Sequence, residues 1–535
     1  MNPLNQTEEK REAVPNGVSR VGIAALGVLL QVLWIVWAAL RLTRYYAWVQ
    51  LAISVLAFLL ALRIYGRHTN SATKLSWIIV ILTFPIFGVC LYLLFGRSGA
   101  VNIMRGRFTR TDTELQPHYA TPLDRAAMPQ DPALQNQIQY LQTQAHYPAC
   151  RNTDVTYYGD TNAALEAQKT DLRKAQHFIF MEYHAIEDSI AWQGIEDILA
   201  ERAAAGVEVR VFYDDMGSIG FVDTAFAKKL QQRGIQCRVF NPIVPVLNVF
   251  MNNRDHRKIT VIDGQVGYTG GYNLADEYFN LTHPYGRWKD SGVRLEGDAV
   301  RNLTLIFLEM WGTTQKEMPA IEPYLPAIRY TAREAATVLP YADNPLDDKR
   351  VGEDVYLNFI NSAQRYVYIT TPYLILSDEM QRALVLAAQR GVDVRIITPG
   401  IPDKKLVYMI TRSYYQQLHR AGVKIYEYRP GFLHAKSIVS DDDTAVVGTI
   451  NMDFRSFFLH FECATCFYNS SVVAAVKQDI LETINVSRRI DDAWLRRVPW
   501  LRSIAASVLR LFARHADGLL HQQILRTDRF GDGRL

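Results

Sequence analysis

HRKITVID, residues 256–263, is answered 178 residues further on by HAKSIVSD, residues 434–441. Both fit H-x-K-x4-D, with His256, Lys258 and Asp263 in one copy and His434, Lys436 and Asp441 in the other. Each histidine is followed 17 residues later by an asparagine, Asn273 in VGYTGGYN and Asn451 in VVGTIN. Residues two apart in a strand project from the same face, so each histidine is expected to share a face with its lysine. An imidazole attacks phosphorus or moves a proton near neutral pH, while an ammonium and a carboxamide NH2 donate to phosphate oxygens. One copy is half a site. Two copies facing each other place a nucleophile on one side of a phosphodiester and a proton donor on the other, as in-line displacement needs. The plain alternative is two unrelated surface strands, and the repetition of the whole template argues against it.

The repeat reaches beyond the motif. AQHFIFMEY from Ala175 is echoed by AQRYVYITT from Ala363, GVEVRVFYDD from Gly206 by GVDVRIITPG from Gly391, and RGIQCRVFNP from Arg233 by AGVKIYEYRP from Ala421. Each half runs apolar strand, helix-like stretch, two further strands and then the motif, an alternating β/α order. The expected fold is therefore α/β, with two similar domains packed as a pseudo-dimer and the site at their interface.

These residues give the chain a family resemblance. It resembles the phospholipase D superfamily and, within it, the bacterial cardiolipin synthases, through NRDHRKITVIDGQVGYTGGYNLADEY, the GRWKDSGVRLEG that follows, TPYLILSDEM with GVDVRIITPGIPDKK, and GFLHAKSIVSDDDTAVVGTINMDFRSFFLHFE. The similarity spans most of residues 75–515. Two departures stand out. Gly271 precedes Asn273 where the second half has Thr449, which leaves one half short of a hydroxyl donor, and His460 stands where the subfamily tends to have asparagine.

The resemblance implies that one motif histidine forms a phosphohistidine while the other protonates the leaving alcohol and then deprotonates the incoming one. His256 is assigned as nucleophile and His434 as acid/base, a choice the symmetry of the sequence does not force. Lys258, Lys436, Asn273 and Asn451 are expected to hold the phosphoryl oxygens. A histidine held for attack needs a carboxylate on its second nitrogen to fix the tautomer. By resemblance, that acid lies downstream of the asparagine, which gives Glu462 to His434 in the second half, and Asp290, with Glu277 as the alternative, to the first. Asp263 and Asp441 complete the catalytic motifs but read as anchors of the strand end.

The rest of the chain points to a membrane. A net charge of +4 over 535 residues is too small to announce a nucleic-acid binder. Three stretches, 21–40, 47–62 and 75–95, read as transmembrane helices, since about 20 residues at about 1.5 Å each cross the hydrocarbon. Tyr45, Tyr46 and Tyr65 suit an interface, and Pro85 and Gly88 are tolerated within membrane helices. The resemblance covers mainly the second and third of these spans. The first could instead be a signal peptide, but no convincing cleavage site follows its charged leader. Orientation is not decided, because Lys10, Arg11, Arg20, Arg63, Arg67 and Lys74 on one side balance Arg41, Arg44, Arg97, Arg105, Arg107 and Arg110 on the other. Five cysteines, an odd number, suggest no disulfide framework and favour cytoplasmic catalytic domains on a bacterial inner membrane. Cys463 and Cys466 form a CxxC whose members would point to opposite faces of a strand.

Expected boundaries are a membrane anchor over 1–96, a linker with a leading helix over 97–150, the two domains over 151–325 and 326–485, and a tail over 486–535. The first domain carries an apolar insertion, PIVPVLNVFMNN, just before its motif, where acyl chains could enter or a plug could sit between domains. After Pro499 the tail reads as a basic amphipathic helix, suited to anionic lipid or to docking on the core. The sequence thus predicts an enzyme that moves a phosphatidyl group from one phosphatidylglycerol to another, giving cardiolipin and glycerol. No metal or cofactor is expected, because the site's own cations take the charge. No GxxxxGK[ST] loop is present. The alternatives are a hydrolytic phospholipase D, a different phosphatidyltransferase and, from another class, a membrane-tethered nuclease. A lipid-binding scaffold would require a degenerate motif, and all six motif residues are intact.

Overall fold

The computed structural model describes residues 47–66, 71–95, 99–243, 252–318, 320–347 and 349–497, with isolated positions between 26 and 41. Sixteen strands are described. In the first half they are β1 Thr153–Tyr158, β2 Phe178–Tyr183, β3 Glu208–Asp214, β4 Gln236–Phe240, β5 Arg254–Asp255, β6 Lys258–Ile262, β7 Val266–Gly270 and β8 Gly292–Gly297. In the second they are β9 Thr337–Asp343, β10 Tyr366–Thr370, β11 Asp393–Pro399, β12 Lys424–Tyr428, β13 Ser437–Ser440, β14 Thr444–Gly448, β15 His460–Tyr468 and β16 Ser487–Arg489.

The two sheets repeat one plan. The first has the order β1-β8-β7-β6-β2-β3-β4, and the second β16-β12-β11-β10-β13-β14-β15-β5, with β9 also pairing β15. β2, β3 and β4 run parallel, as do β10, β11 and β12. Helical crossovers join these parallel strands and cover them, so all six residues of β2 are buried on both faces. The registers also repeat, with Ile179 opposite Ile262 in one half and Val367 opposite Ser440 in the other. The expected pair of similar α/β domains is thus the observed architecture.

One helix, Val300–Thr313, is buried at every position from Asn302 to Thr313. A helix with no exposed face belongs in the middle of a molecule. Leu303, Phe307 and Trp311 share one cluster with Phe180, Phe212 and Val293 of the first sheet and with Tyr368, Val447 and Phe461 of the second. Cys463 faces this shared cluster while Cys466 faces the outer core of the second half, so the CxxC does point to opposite faces.

The stretch expected as linker and leading helix is part of the packed core. Helix Gly99–Leu115 stacks Phe108 on Phe461 at 4.5 Å. Helix Pro132–Thr143 starts where Asp131 caps the Ala133 N–H at 2.7 Å, and it sends Leu134, Ile138 and Leu141 into the core of the second half.

At the amino-terminal end lie α1 Ala47–Tyr65, α2 Ser71–Thr83 and α3 Pro85–Phe95. Among the described residues, no helix is long and apolar enough to cross a membrane. Of the three expected spans, 21–40 lies for the most part outside the described residues and 47–62 falls in α1. The third, 75–95, is not one helix but two, parted at Phe84. Pro85 has no N–H to continue the ladder, and a Cβ on Gly88 would stand 2.5 Å from the Ile81 Cα, so only glycine lets α3 fold so closely against α2. Ala57, Ile64, Ile81, Val89 and Tyr92 form a small core between them, while Leu51, Phe58, Leu59 and Leu62 face outward. Most of the apolar insertion, 244–251, and the expected amphipathic tail helix lie outside the described residues.

Candidate active site

The two motifs meet because each half lends backbone to the other. β5, just ahead of His256, runs parallel to the start of β15, and the His256 N–H donates to the Phe461 carbonyl at 2.9 Å. Reciprocally, the His434 N–H donates to the Lys289 carbonyl at 2.7 Å. Neither histidine lies within a regular strand: Lys258 opens β6 and Ser437 opens β13, leaving the imidazoles at the strand mouths. Each lysine turns back on its own histidine. Lys258 Nζ donates to the His256 carbonyl at 2.7 Å, and Lys436 Nζ donates likewise to His434.

These ties decide which acid serves which histidine, and they correct the expected pairing. His256 Nδ1 lies 2.9 and 3.0 Å from the two Glu462 oxygens, and His434 Nδ1 lies 2.6 Å from Asp290 Oδ2. The acids are crossed, each half supplying the carboxylate for the other's imidazole. The reason is the backbone pairing, since β15 carries Glu462 past His256 while the segment leading into β8 carries Asp290 past His434. Asp290 rather than Glu277 makes this bond. With one proton held between Nδ1 and the carboxylate, the lone pair is on Nε2.

Gly271 and Thr449 explain why the acids differ in length. Thr449 Oγ donates to Glu462 Oε2 at 2.5 Å. A Cβ on Gly271 would fall 2.0 Å from Asp290 Oδ1, so the shorter acid occupies that space and accepts instead from the Ser291 N–H at 2.9 Å. The missing hydroxyl is replaced by a backbone donor.

All four cations and imidazoles are buried, and burial dominates their titration. His256 is held well below the ordinary imidazole range by burial and then by Lys258, with Lys436 of the other half also contributing. His434 is pushed down to about 3 by burial and Lys436, against the opposing pull of Asp290. Burial lowers Lys258 to about 8 and Lys436 to about 7. For Asp290, burial is outweighed by His434 and Lys436, which hold the carboxyl below its ordinary value, whereas burial carries Glu462 well above its own.

Asn273 Oδ1 accepts from the Ala185 N–H at 3.1 Å, and its Nδ2 donates to Tyr278 Oη at 2.8 Å. Asn451 is buried with its Oδ1 unpartnered. Asp263 and Asp441 stand at the far ends of their strands, each in the left-handed region. Asp263 accepts from the Gln176, His177 and Phe178 N–H groups at 2.7 to 2.8 Å, and Asp441 from those of Gln364, Arg365 and Tyr366 at 2.6 to 2.9 Å. They pin the start of the neighbouring strand and touch neither imidazole.

The sequence reasoning missed several neighbours. His184 donates from Nδ1 to the Asp255 carbonyl at 2.7 Å, and its ring centre lies 4.9 Å from that of His256. Tyr278 and Trp288 stand 5.3 and 5.2 Å from His434. One side is thus lined by imidazoles and the other by aromatic rings. The available signal was the difference between repeats, such as His184 after FIFMEY where Pro372 follows VYITT. His256, His460 and Glu462 bring possible metal-ligand atoms within 4.8 Å of one another. Two of the three are already engaged, since Arg455 Nε donates to His460 Nε2 at 3.1 Å and Thr449 donates to Glu462. The donor set therefore suits a hydrogen-bonded network better than an ion.

The chain is similar to several known proteins. A family model described as "Cardiolipin synthase, PLD-like domain" matches residues 169–311 and 356–484, and one described as "Phospholipase_D-nuclease N-terminal" matches 52–97. An uncharacterized protein of Streptococcus mutans is 42% identical over 84% of this chain and 97% of its own length. A cardiolipin synthase of Geobacillus thermodenitrificans is 32% identical over 92% of this chain and 99% of its own. The crystal structure of a phosphatidylserine synthase from Haemophilus influenzae matches with a TM-score of 0.52 at 13% identity, covering 73% of this chain and all of that one, a likeness of fold.

Proposed function

We propose, from the premise that the chain belongs to the cardiolipin synthase family of phospholipase D-like proteins, that it transfers a phosphatidyl group between two phosphatidylglycerol molecules, giving cardiolipin and glycerol. The observation that carries this reading is the pair of imidazoles, each held at Nδ1 by the other half's carboxylate and each beside a buried lysine.

His256 Nε2 attacks the donor phosphorus, forming a P–N bond as the P–O bond to glycerol breaks, and His434 gives its proton to the departing oxygen. The primary hydroxyl of the second phosphatidylglycerol then loses its proton to His434 and attacks phosphorus, releasing His256. Lys258, Lys436, Asn273 and Asn451 take the charge on the non-bridging oxygens. The phosphodiester anion has the sign opposite to the lysines, so its arrival raises the histidines from their depressed values and allows His434 to carry a proton. Glu462 holds His256, and Asp290 holds His434.

The protein is proposed to work at the inner membrane of a bacterial cell, with the outward-facing leucines and phenylalanines of α1 against lipid. All five cysteines are free, which fits catalytic halves in the reducing cytoplasm. The test is to incubate the full chain with phosphatidylglycerol alone. Cardiolipin and glycerol in equal amounts are expected. Phosphatidic acid with glycerol would replace this reading by hydrolysis, and cleavage of nucleic acid under conditions where lipid is untouched would replace it by a nuclease.

A further inference from the structure

Strand register puts Trp288 and His460 at the same place in the two halves. Gly270 lies opposite Gly292 across β7 and β8, and Gly448 lies opposite Ala464 across β14 and β15. Both glycines stand 14 residues after their motif histidine, as 270 less 256 and 448 less 434. Two residues before Gly292 and Ala464 come Asp290 and Glu462, and two before those come Trp288 and His460. Each ring turns a nitrogen toward the carboxylate two residues on, Trp288 Nε1 to Asp290 Oδ2 at 3.4 Å and His460 Nδ1 to Glu462 Oε1 at 3.5 Å.

An indole has one N–H and no choice of direction, but an imidazole must be told which nitrogen carries the hydrogen. Arg455 supplies the instruction. Its Nε–H donates to His460 Nε2 at 3.1 Å, so that atom keeps its lone pair and the hydrogen goes to Nδ1. Nδ1 is buried and makes no hydrogen bond in the structure, and the polar group it faces is Glu462 Oε1, 3.5 Å away. Burial is the main cause that keeps the ring neutral, and Arg455, His184, Lys258 and Lys404 act in the same direction. The ring centre lies 5.3 Å from that of His256.

We propose that His460 is a positioning residue for His256: its Nδ1–H, directed by Arg455, steadies the Glu462 carboxylate that orients the attacking imidazole, as the Trp288 indole does for Asp290 and His434. The relay runs Arg455 to His460 to Glu462 to His256, and every donor in it is assigned by its neighbour. The inference builds on the proposed role of His256, so its test also reads that residue without lipid.

In the full chain, carbethoxylation of His256 by diethyl pyrocarbonate is followed by mass spectrometry of its peptide across the acid and neutral range, beside lipid turnover. His460→Ala is expected to slow His256 modification and kcat by about three- to tenfold, the loss of one buried polar contact, with KM unchanged and the pH midpoint of His256 moved. His460→Asn, whose amide N–H reaches the carboxylate, recovers most of the loss, and Arg455→Met behaves like His460→Ala. Unchanged reactivity and midpoint in His460→Ala overturn the proposal. So does an equal loss in the Ala and Asn variants accompanied only by a lowered melting temperature. A chain that makes no cardiolipin yet shows this reactivity pattern would remove the proposed reaction and leave the positioning role standing.

Discussion

Lys258 and Lys436 are buried ammonium groups whose proton affinity is far below that of a lysine in water, about 8 and about 7. Only the protonated form attracts a phosphodiester, and each is protonated below its own value. kcat/KM is therefore expected to fall as pH rises through this range, as a pH–rate profile of the full chain will show. Lys436→Ala should lower kcat/KM by about a hundredfold or more and abolish the limb near neutrality. A flat alkaline limb would mean that neither lysine contributes its charge. The histidine, lysine and asparagine spacing was legible in the sequence because it is local. The partnership of each histidine with its acid was not, since 206 residues separate His256 from Glu462 and 144 separate His434 from Asp290. Reading along the chain pairs an acid with the nearer motif, and only the exchange of strands between halves reverses that.

Between His256 and Lys258, Arg257 points the opposite way, into the layer between the sheets. There its guanidinium lies 2.9 Å from Glu309 on the central helix and donates to the Glu462 and Ile306 carbonyls. Burial and Glu309 act on it in opposite directions, and the carboxylates prevail in holding its charge. Removing one member of such a pair strands the other, so Arg257→Met is expected to destabilise by about 3–5 kcal/mol, read as a lower thermal midpoint. The double variant Arg257→Met with Glu309→Leu should be less destabilised than the single one. A double variant at least as unstable as the sum would show that the pair is not the cause. The helix itself, Val300–Thr313, carries a signal in its sequence, since Arg301 and Glu309 are the only charges in its apolar run. The break at Phe84 was less accessible, because a proline and a glycine within an apolar run are compatible with a straight span and with a fold-back alike. The distinction lies in the contact of Gly88 with Ile81.

At the scale of the molecule, the halves are held by the central helix, by β5 on β15 and by the Cys150 bridge to Val338. The covalent link between them, among the described residues of 314–336, holds no strand, and its Arg333 side chain is 84% exposed. A protease site placed there is expected to let the chain be cut without loss of activity, the fragments eluting together under native conditions. Separation of the fragments after cutting would show that the link, and not the interface, holds the site. The pseudo-dimer was legible because three strand segments repeat beside the motif. The inclusion of residues 99–143 in the core was not, because their polar composition hides the few residues that pack, Phe108, Leu134, Ile138 and Leu141. Crossed acids have a further consequence for how the two copies can change over time. A half that loses its carboxylate leaves its neighbour's imidazole unheld at Nδ1. Equivalent positions one step from that bond differ in kind between the halves, Gly271 against Thr449 and Trp288 against His460. Identical halves would greet an arriving alcohol and a departing one alike, whereas here His184 and His460 stand beside His256, and Tyr278 and Trp288 beside His434.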